Sequence, residues 1–393
     1  MRSLLFTISL TAFIVMVGMG VIAPLLPIFA EELGASGVWI GVIFSAYSFS
    51  RLIFLPVIGR ISDFYGRRKI ILLGLFLYST VTLLYAFATT PEQLSAVRLM
   101  HGATSAMVIP VAMAAVAELS PDGREGYFIG TFNRALFLGM ASGPVIGGVI
   151  ADIAGLRLTF FTISVIGFVT LFLVYLTFPE TSIRRKSRKR FNGSIRLWTA
   201  FLYRFLNSMG RGSILSFLPI YLGLIGYSAS IIGGLISLNL FVSALIQPAS
   251  GKLSDRIGVT LPVTASTLLG ALILFSIPRI QDIFSLTVMS LLLGITSAVS
   301  LPAVGAIVAV EGKQGGMGQL MGTLSASKSL GRIIGPLVSG TIFDLFGGGI
   351  DGIKVAFTVA SAIAVFSAII FWMGMRVFRH SEALRYEEHE DFG

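Results

Sequence analysis

Seven positively charged side chains stand inside long apolar runs: Arg51, Arg98, Arg134, Arg204, Arg211, Lys328 and Arg332. A charged group at the centre of a membrane-length helix costs about 2.5–3.5 kcal/mol on insertion scales, so these groups must face a cavity or partners rather than lipid. No aspartate or glutamate lies in the middle of any run, since Glu31, Glu32, Glu118 and Glu311 all fall at ends. The excess is positive, and the chemistry it suits is binding of an anionic, amphiphilic or carboxylate-bearing solute. Arg204, Asn207, Ser208 and Arg211 recur at i, i+3, i+4 and i+7, so they share a helical face, as do Lys328 and Arg332. At 1.5 Å per residue, Arg211 and Arg332 lie roughly 19 Å into their runs, past the midplane of a core about 30 Å thick; Arg51, Arg134, Arg204 and Lys328 are shallower. Each cation also has a structural reading, in which it bonds helix-end carbonyls, snorkels to the interface, or pairs with Asp63 or Asp255.

His101 is the one histidine outside the C-terminal tail. With an unperturbed pKa of about 6.5, it is the best remaining carrier of a coupling proton, the alternative being a neutral hydrogen bond between helices. No cluster of His, Asp and Glu within the spans supplies a nucleophile and base or a metal site, and there is no cysteine for thiol or disulfide chemistry. An enzyme is not expected, nor a cofactor. No Gly-x-x-x-x-Gly-Lys-Ser/Thr loop is present, so any pumping must draw on ion or solute gradients.

The elements that hold these residues follow from composition. Of 393 residues, 55% are hydrophobic and 12% charged, about half the charged share of soluble domains, roughly 25%. A net charge of +10 would suggest a nucleic-acid partner in a soluble chain, but the basic residues fall between apolar runs, which points to orientation in a lipid bilayer instead. The first run, Leu4 to Phe29, exceeds the core of a signal peptide, about 7–15 residues, and reads as a retained span. Runs long enough to cross a membrane begin near Leu4, Val38, Ile70, Leu94, Tyr127 and Leu158, then near Leu197, Ser230, Leu261, Phe284, Gln319 and Val355. This pattern predicts an all-α membrane protein of twelve transmembrane helices. Its two six-helix halves are 1–180 and 197–378, joined by a basic linker at 181–196 and followed by a polar tail at 379–393. Nineteen of the 29 lysines and arginines lie on the side of the termini and three, Arg157, Arg279 and Lys354, on the other. Both termini are therefore expected in the cytoplasm, with the run Arg184 to Arg190 as topology anchor.

Sliding the second half onto the first by 192 residues pairs Pro56, Gly59, Ser62, Asp63 and Gly66 with Pro248, Gly251, Ser254, Asp255 and Gly258. The same shift pairs Gly102, Thr104, Ser105, Ala106 and Pro110 with Gly294, Thr296, Ser297, Ala298 and Pro302. It also pairs Gly139, Gly143, Pro144, Gly148 and Asp152 with Gly331, Gly335, Pro336, Gly340 and Asp344, and Pro27 with Pro219. One gapless offset across four spans indicates duplication of a six-helix unit, the architecture of carriers whose halves rock about a central site.

The segment Gly59-Arg60-Ile61-Ser62-Asp63-Phe64-Tyr65-Gly66-Arg67-Arg68-Lys69 sets two glycines at a chain reversal, an aspartate able to cap or salt-bridge helix ends, and a basic cluster. It resembles the signature loop of the major facilitator superfamily. The second copy, Gly251 to Gly258, keeps the turn and loses the basic cluster. Gly139-Met140-Ala141-Ser142-Gly143-Pro144-Val145-Ile146-Gly147-Gly148 packs four glycines and a proline into ten residues, which permits close helix contact and a bend. It is similar to the motif of the antiporter, mostly drug-exporting, branch of that superfamily, where it is read as a hinge favouring exchange; close packing alone is the other reading. Pro24-Leu25-Leu26-Pro27 also resembles the twelve-span drug-export branch. Arg98-Leu99-Met100-His101-Gly102 resembles the family's arginine motif implicated in proton transfer, with histidine where glutamine is usual. The resemblance implies a proton-coupled exporter of small organic solutes working by alternating access, with the loop at Gly59 to Lys69, through Asp63, Arg67 and Arg68, latching helix ends; nothing in the chain demands more than a monomer. Many such exporters rely on a buried carboxylate, which this chain lacks. A symporting importer of organic anions or nutrients is the alternative, and a non-transporting receptor or scaffold a more distant one.

Overall fold

The computed structural model describes residues 2–119, 125–178, 194–312 and 317–390. Most of the basic linker, Thr181 to Gly193, therefore lies outside the described residues, as does the side chain of Asp63. Eleven long helices account for nearly all of what is described. They are α1 (Arg2–Glu32), α2 (Gly37–Tyr65), α3 (Arg67–Phe87), α4 (Pro91–Leu119), α5 (Glu125–Thr177), α6 (Ile195–Leu224), α7 (Ala229–Ile257), α8 (Thr260–Ser276), α9 (Ile283–Gly312), α10 (Met317–Leu345) and α11 (Gly349–Glu390). Helix α5 contains two spans, because Gly155 breaks it with φ 80° and ψ 164°. Twelve spans result, each starting one to six residues ahead of its expected position, apart from the sixth, which joins the fifth at Gly155. With no water in the bilayer core, a helix satisfies every backbone group within its own segment, and many span hydroxyls bond back to carbonyls one turn earlier, as Thr82 does to Tyr78.

The repeat governs the turns as well as the spans. Positive-φ glycines end helices in pairs 192 residues apart: Gly34 and Gly226, Gly66 and Gly258, Gly155 and Gly347, with φ between 78° and 92°. Only glycine adopts this conformation without a Cβ penalty. Ser36 and Ser228, another pair at that offset, cap the N-termini of α2 and α7. The reversal between α2 and α3 is tighter than the sequence suggests. Gly59 is interior to α2, and Gly66 alone turns the chain. The backbone of the polar tail continues α11 through Glu390.

The halves, α1–α5 and α6–α11, meet at the end remote from the termini. The Asp344 carboxylate on α10 accepts from Gly37 N at 2.7 Å and Val38 N at 2.8 Å, at the start of α2. Its repeat partner Asp152 on α5 accepts from Ala229 N at 3.0 Å and Ser230 N at 2.9 Å, at the start of α7. Each carboxylate thus caps the positive end of a helix from the other half. Below these caps Ser45 donates to the Ile333 carbonyl, and Val145 N donates to Ser237 Oγ at 3.1 Å. These hydrogen bonds between halves all lie in this remote portion. Hydrophobic packing follows the same division. One core shared by both halves, with Val21, Leu25, Phe217 and Ile232, fills the remote end, whereas Leu75, Val108 and Phe132 belong to a core of the first half alone and Val263, Val304 and Phe371 to one of the second. The molecule is closed at the remote end and divided at the terminus-side end.

Two predictions follow from this closure. Removing a helix cap costs about 1 kcal/mol, so Asp152→Ala and Asp344→Ala should each shift the balance toward a parted remote end roughly fivefold. Spin labels on Glu32 and Leu224, exposed at the remote ends of α1 and α6, would report the change, and an unaltered distance distribution in the double variant would count against the caps as closures. The second concerns adjacent glycines on α7. A Cβ at Gly233 overlaps the Pro144 carbonyl, whereas one at Gly234 meets nothing within 4 Å. The same labels should move apart in Gly233→Ala and stay in place in Gly234→Ala.

Candidate functional site

Among the described residues, nine of the eleven long helices are apolar enough to cross a membrane by length and composition, and α6 and α10 are not among them. These two carry Arg204, Asn207, Arg211, Lys328 and Arg332. They pack against each other through Gly331 and Gly335, where a Cβ would overlap the Phe205 and Met209 carbonyls, and through Ser339 Oγ, which bonds Ser213 Oγ at 2.6 Å. Close backbone approach holds the two polar faces side by side.

Electrostatic interactions define one cluster. Lys328 interacts with Arg332, Arg204, Arg51 and Arg211; Arg332 with Arg51 and Arg211; Arg204 with Arg211 and Arg332. All five side chains are half-buried, and none has a carboxylate partner among the described residues. Arg51 comes from the first half and the other four from the second, so the cluster faces the space that opens below the remote-end contacts. Asn207 Oδ1 and Arg332 Nε are buried without hydrogen-bond partners, and Asn207 Nδ2 donates to Tyr203 Oη at 3.4 Å.

Arg98 and His101 form a second site inside the first half. Arg98 is buried, with its guanidinium 4.6 Å from the Tyr47 ring centroid and 5.4 Å from that of Phe44. Tyr47 Oη in turn accepts from Arg51 Nη1 at 3.0 Å. His101 is fully buried among the rings of Tyr47, Tyr78 and Tyr85; its Nδ1 lies 3.0 Å from Tyr85 Oη, while Nε2 has no partner. Tyr85 also hydrogen-bonds Arg98. A continuous polar path therefore runs from His101 through Tyr85, Arg98 and Tyr47 to Arg51 at the edge of the cluster. Sequence reasoning named the charged members of this path and missed Tyr47 and Tyr85; a tyrosine one turn before Arg51 was the available signal for the first.

Arg134 stands apart from the cationic cluster. It is exposed on α5 and is not among the groups that interact electrostatically with Lys328.

The signature segment stitches helix ends within the first half. Arg67 donates to Ser62 Oγ, which itself donates to the Gly59 carbonyl at 2.8 Å. Arg68 Nη2 donates to the Tyr175 carbonyl at 2.7 Å, near the end of α5, with its guanidinium 5.6 Å from the Tyr175 ring centroid. A cation at a helix C-terminus answers its exposed carbonyls. Gly258 closes α7 as Gly66 closes α2, whereas the side-chain surroundings of Gly251 and Asp255 lie outside the described residues.

The glycine-proline segment of α5 lies between two neighbours. A Cβ at Gly139 would overlap the Phe13 carbonyl, at Gly143 it would stand 2.5 Å from the Val17 carbonyl, and at Gly147 it would press on Val21, all on α1; at Gly148 it would overlap the Ala229 carbonyl of α7. Pro144 faces Gly20 on α1 and Gly233 on α7. The small residues thus permit close packing on both sides, and one of those sides is the boundary between halves.

Comparison with known proteins agrees with this architecture. The Major Facilitator Superfamily model matches residues 8–204 and 200–390. An uncharacterised MFS-type transporter of Methanocaldococcus jannaschii is 29% identical over 357 residues, covering 87% of this chain and 92% of that one. The multidrug resistance protein MdtG of Proteus mirabilis is 28% identical over 390 residues, covering 95% and 96%. A bacterial homologue of the human lysosomal transporter Spinster, in an inward-facing and occupied conformation, superposes with a TM-score of 0.83 at 16% identity, covering 95% and 96%. Two matched halves and a helical architecture that superposes on transporters of this kind place the chain in the Major Facilitator Superfamily, as a multi-pass membrane transporter.

Proposed function

We propose that this transporter exports small organic anions, amphiphilic or carboxylate-bearing, by proton-coupled antiport with alternating access. The observation that carries the reading is the five-cation cluster, uncompensated by carboxylate among the described residues, in the space that opens toward the termini. Positive charge gathered in a cavity without carboxylate partners calls for an anion, and guanidinium groups suit carboxylate oxygens. The excess of lysine and arginine on the terminus side orients that opening toward the cytoplasm. The site would then load from inside and release outside after the halves rock, each chain acting as a monomer. Export also accords with the resemblance of the α5 glycines to the antiporter branch and with the name of the MdtG relatives.

His101 is the proposed proton carrier, and its path to Arg51 is the proposed route of coupling. A proton on the imidazole changes the hydrogen bonding of Tyr85, hence the seat of Arg98 on Tyr47, hence the group that fixes Arg51 at the cavity. The proton and the solute would influence each other through these contacts without sharing a site.

The test is uptake by inverted vesicles of a panel of organic anions and lipophilic cations, with and without an inward-acid gradient, in wild type, Arg211→Ala and His101→Gln. Proton-dependent accumulation of anions is expected, lost at least about tenfold in Arg211→Ala, as for truncation of a buried charge contact. In His101→Gln the pH dependence is expected to disappear while binding persists. Accumulation of cations that neither change affects would refute both site assignments and leave an exporter of another specificity. Anion flux that runs with the proton gradient rather than against it would establish symport.

A further inference from the structure

Arg332 occupies the vertex at which the two halves separate. Its neighbour Ile333 accepts, through its carbonyl, the hydrogen bond from Ser45, the contact between halves nearest to the open space among the described residues. Helical side chains lean toward the N-terminus, which for α10 is the terminus-side end, so Arg332 reaches into the opening over Lys328, one turn earlier. Across the gap, Arg51 stands six residues beyond Ser45 on α2, about 9 Å further in the same direction. Its Nη1 is fixed by Tyr47 Oη at 3.0 Å, which orients the guanidinium. Arg51 interacts electrostatically with both Arg332 and Lys328.

Like charges thus oppose one another across the boundary, and their repulsion favours the divided arrangement observed at the terminus-side end. A singly charged anion answers one side of the gap and leaves the cross-boundary repulsion largely in place. An anion with two or more negative charges can engage both sides at once, since each guanidinium presents a planar set of donors and Arg332 Nε has no partner of its own. Building on the organic-anion reading above, we propose that the transported substrate carries at least two negative charges, as a di- or tricarboxylate or a phosphoryl-bearing solute does. It bridges Arg51 to Arg332 and Lys328, and this bridge draws the terminus-side ends together. Substrate charge is then the trigger for closure as well as the basis of recognition, because a ligand shifts a conformational equilibrium only through contacts that differ between its states.

The chain contains no cysteine, so a single labelled pair suffices for the test. Phe64→Cys and Ile257→Cys place spin labels on exposed positions at the terminus-side ends of α2 and α7, in opposite halves. The full chain in nanodiscs of zwitterionic lipid is titrated with benzoate, phthalate and trimesate, which carry one, two and three carboxylates on the same ring. Binding is read separately as the rise in thermal unfolding midpoint. Phthalate and trimesate are expected to shorten the label distance, and benzoate to leave it unchanged even where it binds. In Arg51→Gln, trimesate should still raise the unfolding midpoint, with affinity about tenfold weaker, but no longer shorten the distance. Equal shortening by benzoate and trimesate, or undiminished shortening in Arg51→Gln, would overturn the bridging mechanism and leave the organic-anion reading standing. Absence of a thermal shift with all three would overturn both.

Discussion

Uncompensated positive charge within a membrane is the constraint on which the rest of this structure depends. Five cationic side chains gather at the boundary between the halves with no carboxylate partner among the described residues. In lipid such a group could not persist, so water must reach it, and the halves must stand apart where the cluster lies. The division of the terminus-side end into two separate hydrophobic cores is the structural answer to that demand. The apolar deficit of α6 and α10 has the same origin, since these two helices carry four of the five cations.

A molecule opened at one end must be held at the other, and the hold is built to be released. The two aspartate caps lie in exposed surroundings, where hydrogen bonds to helix N-termini contribute on the order of 1 kcal/mol rather than the several expected of a buried network. Glycine contacts beside them bring backbones together without interlocked side chains, so the surfaces can part without repacking a core. Because caps and glycines occur in two copies at one offset, the contact of α5 with α7 and that of α10 with α2 are equivalent, and neither side of the closure is favoured to open first.

Much of this was legible in the chain before its fold was known. Twelve spans followed from apolar run length, and the duplication followed from a single offset. The glycines at 34, 155, 226 and 347 belong to that same offset, so their shared role as left-handed helix ends was also available. What could not be read was the meaning of Asp152 and Asp344. As residues they were a matched pair, but which amides they cap depends on how one half meets the other. Tyr85 was hidden for a similar reason, because its bond to His101 joins two helices at a depth that no periodicity within one helix encodes. The turn at Gly66 was over-read, as two glycines suggested a loop where one glycine is enough and Gly59 has an ordinary helical position.

The repeat also separates scaffold from chemistry. At 192 residues from Arg204, Arg211, Lys328 and Arg332 stand Ala12, Met19, Leu136 and Met140, and opposite Arg51, Arg98 and His101 stand Ser243, Ser290 and Leu293. No member of the cationic cluster or of the histidine path is duplicated, whereas the helix-ending glycines, the serine caps, the interface aspartates and the α5 and α10 glycine contacts are. Symmetry is retained where two halves must close against each other by equal contacts. It is lost where one half must present charge and the other must answer it, as Arg51 does from the first half through Tyr47. A two-fold site would offer a substrate two equivalent seats; this one offers a single seat with a cationic wall on one side and an aromatic, histidine-linked wall on the other. That asymmetry lets the state of the first half depend on what is bound to the second, which coupled transport requires of two bodies that otherwise move as equals.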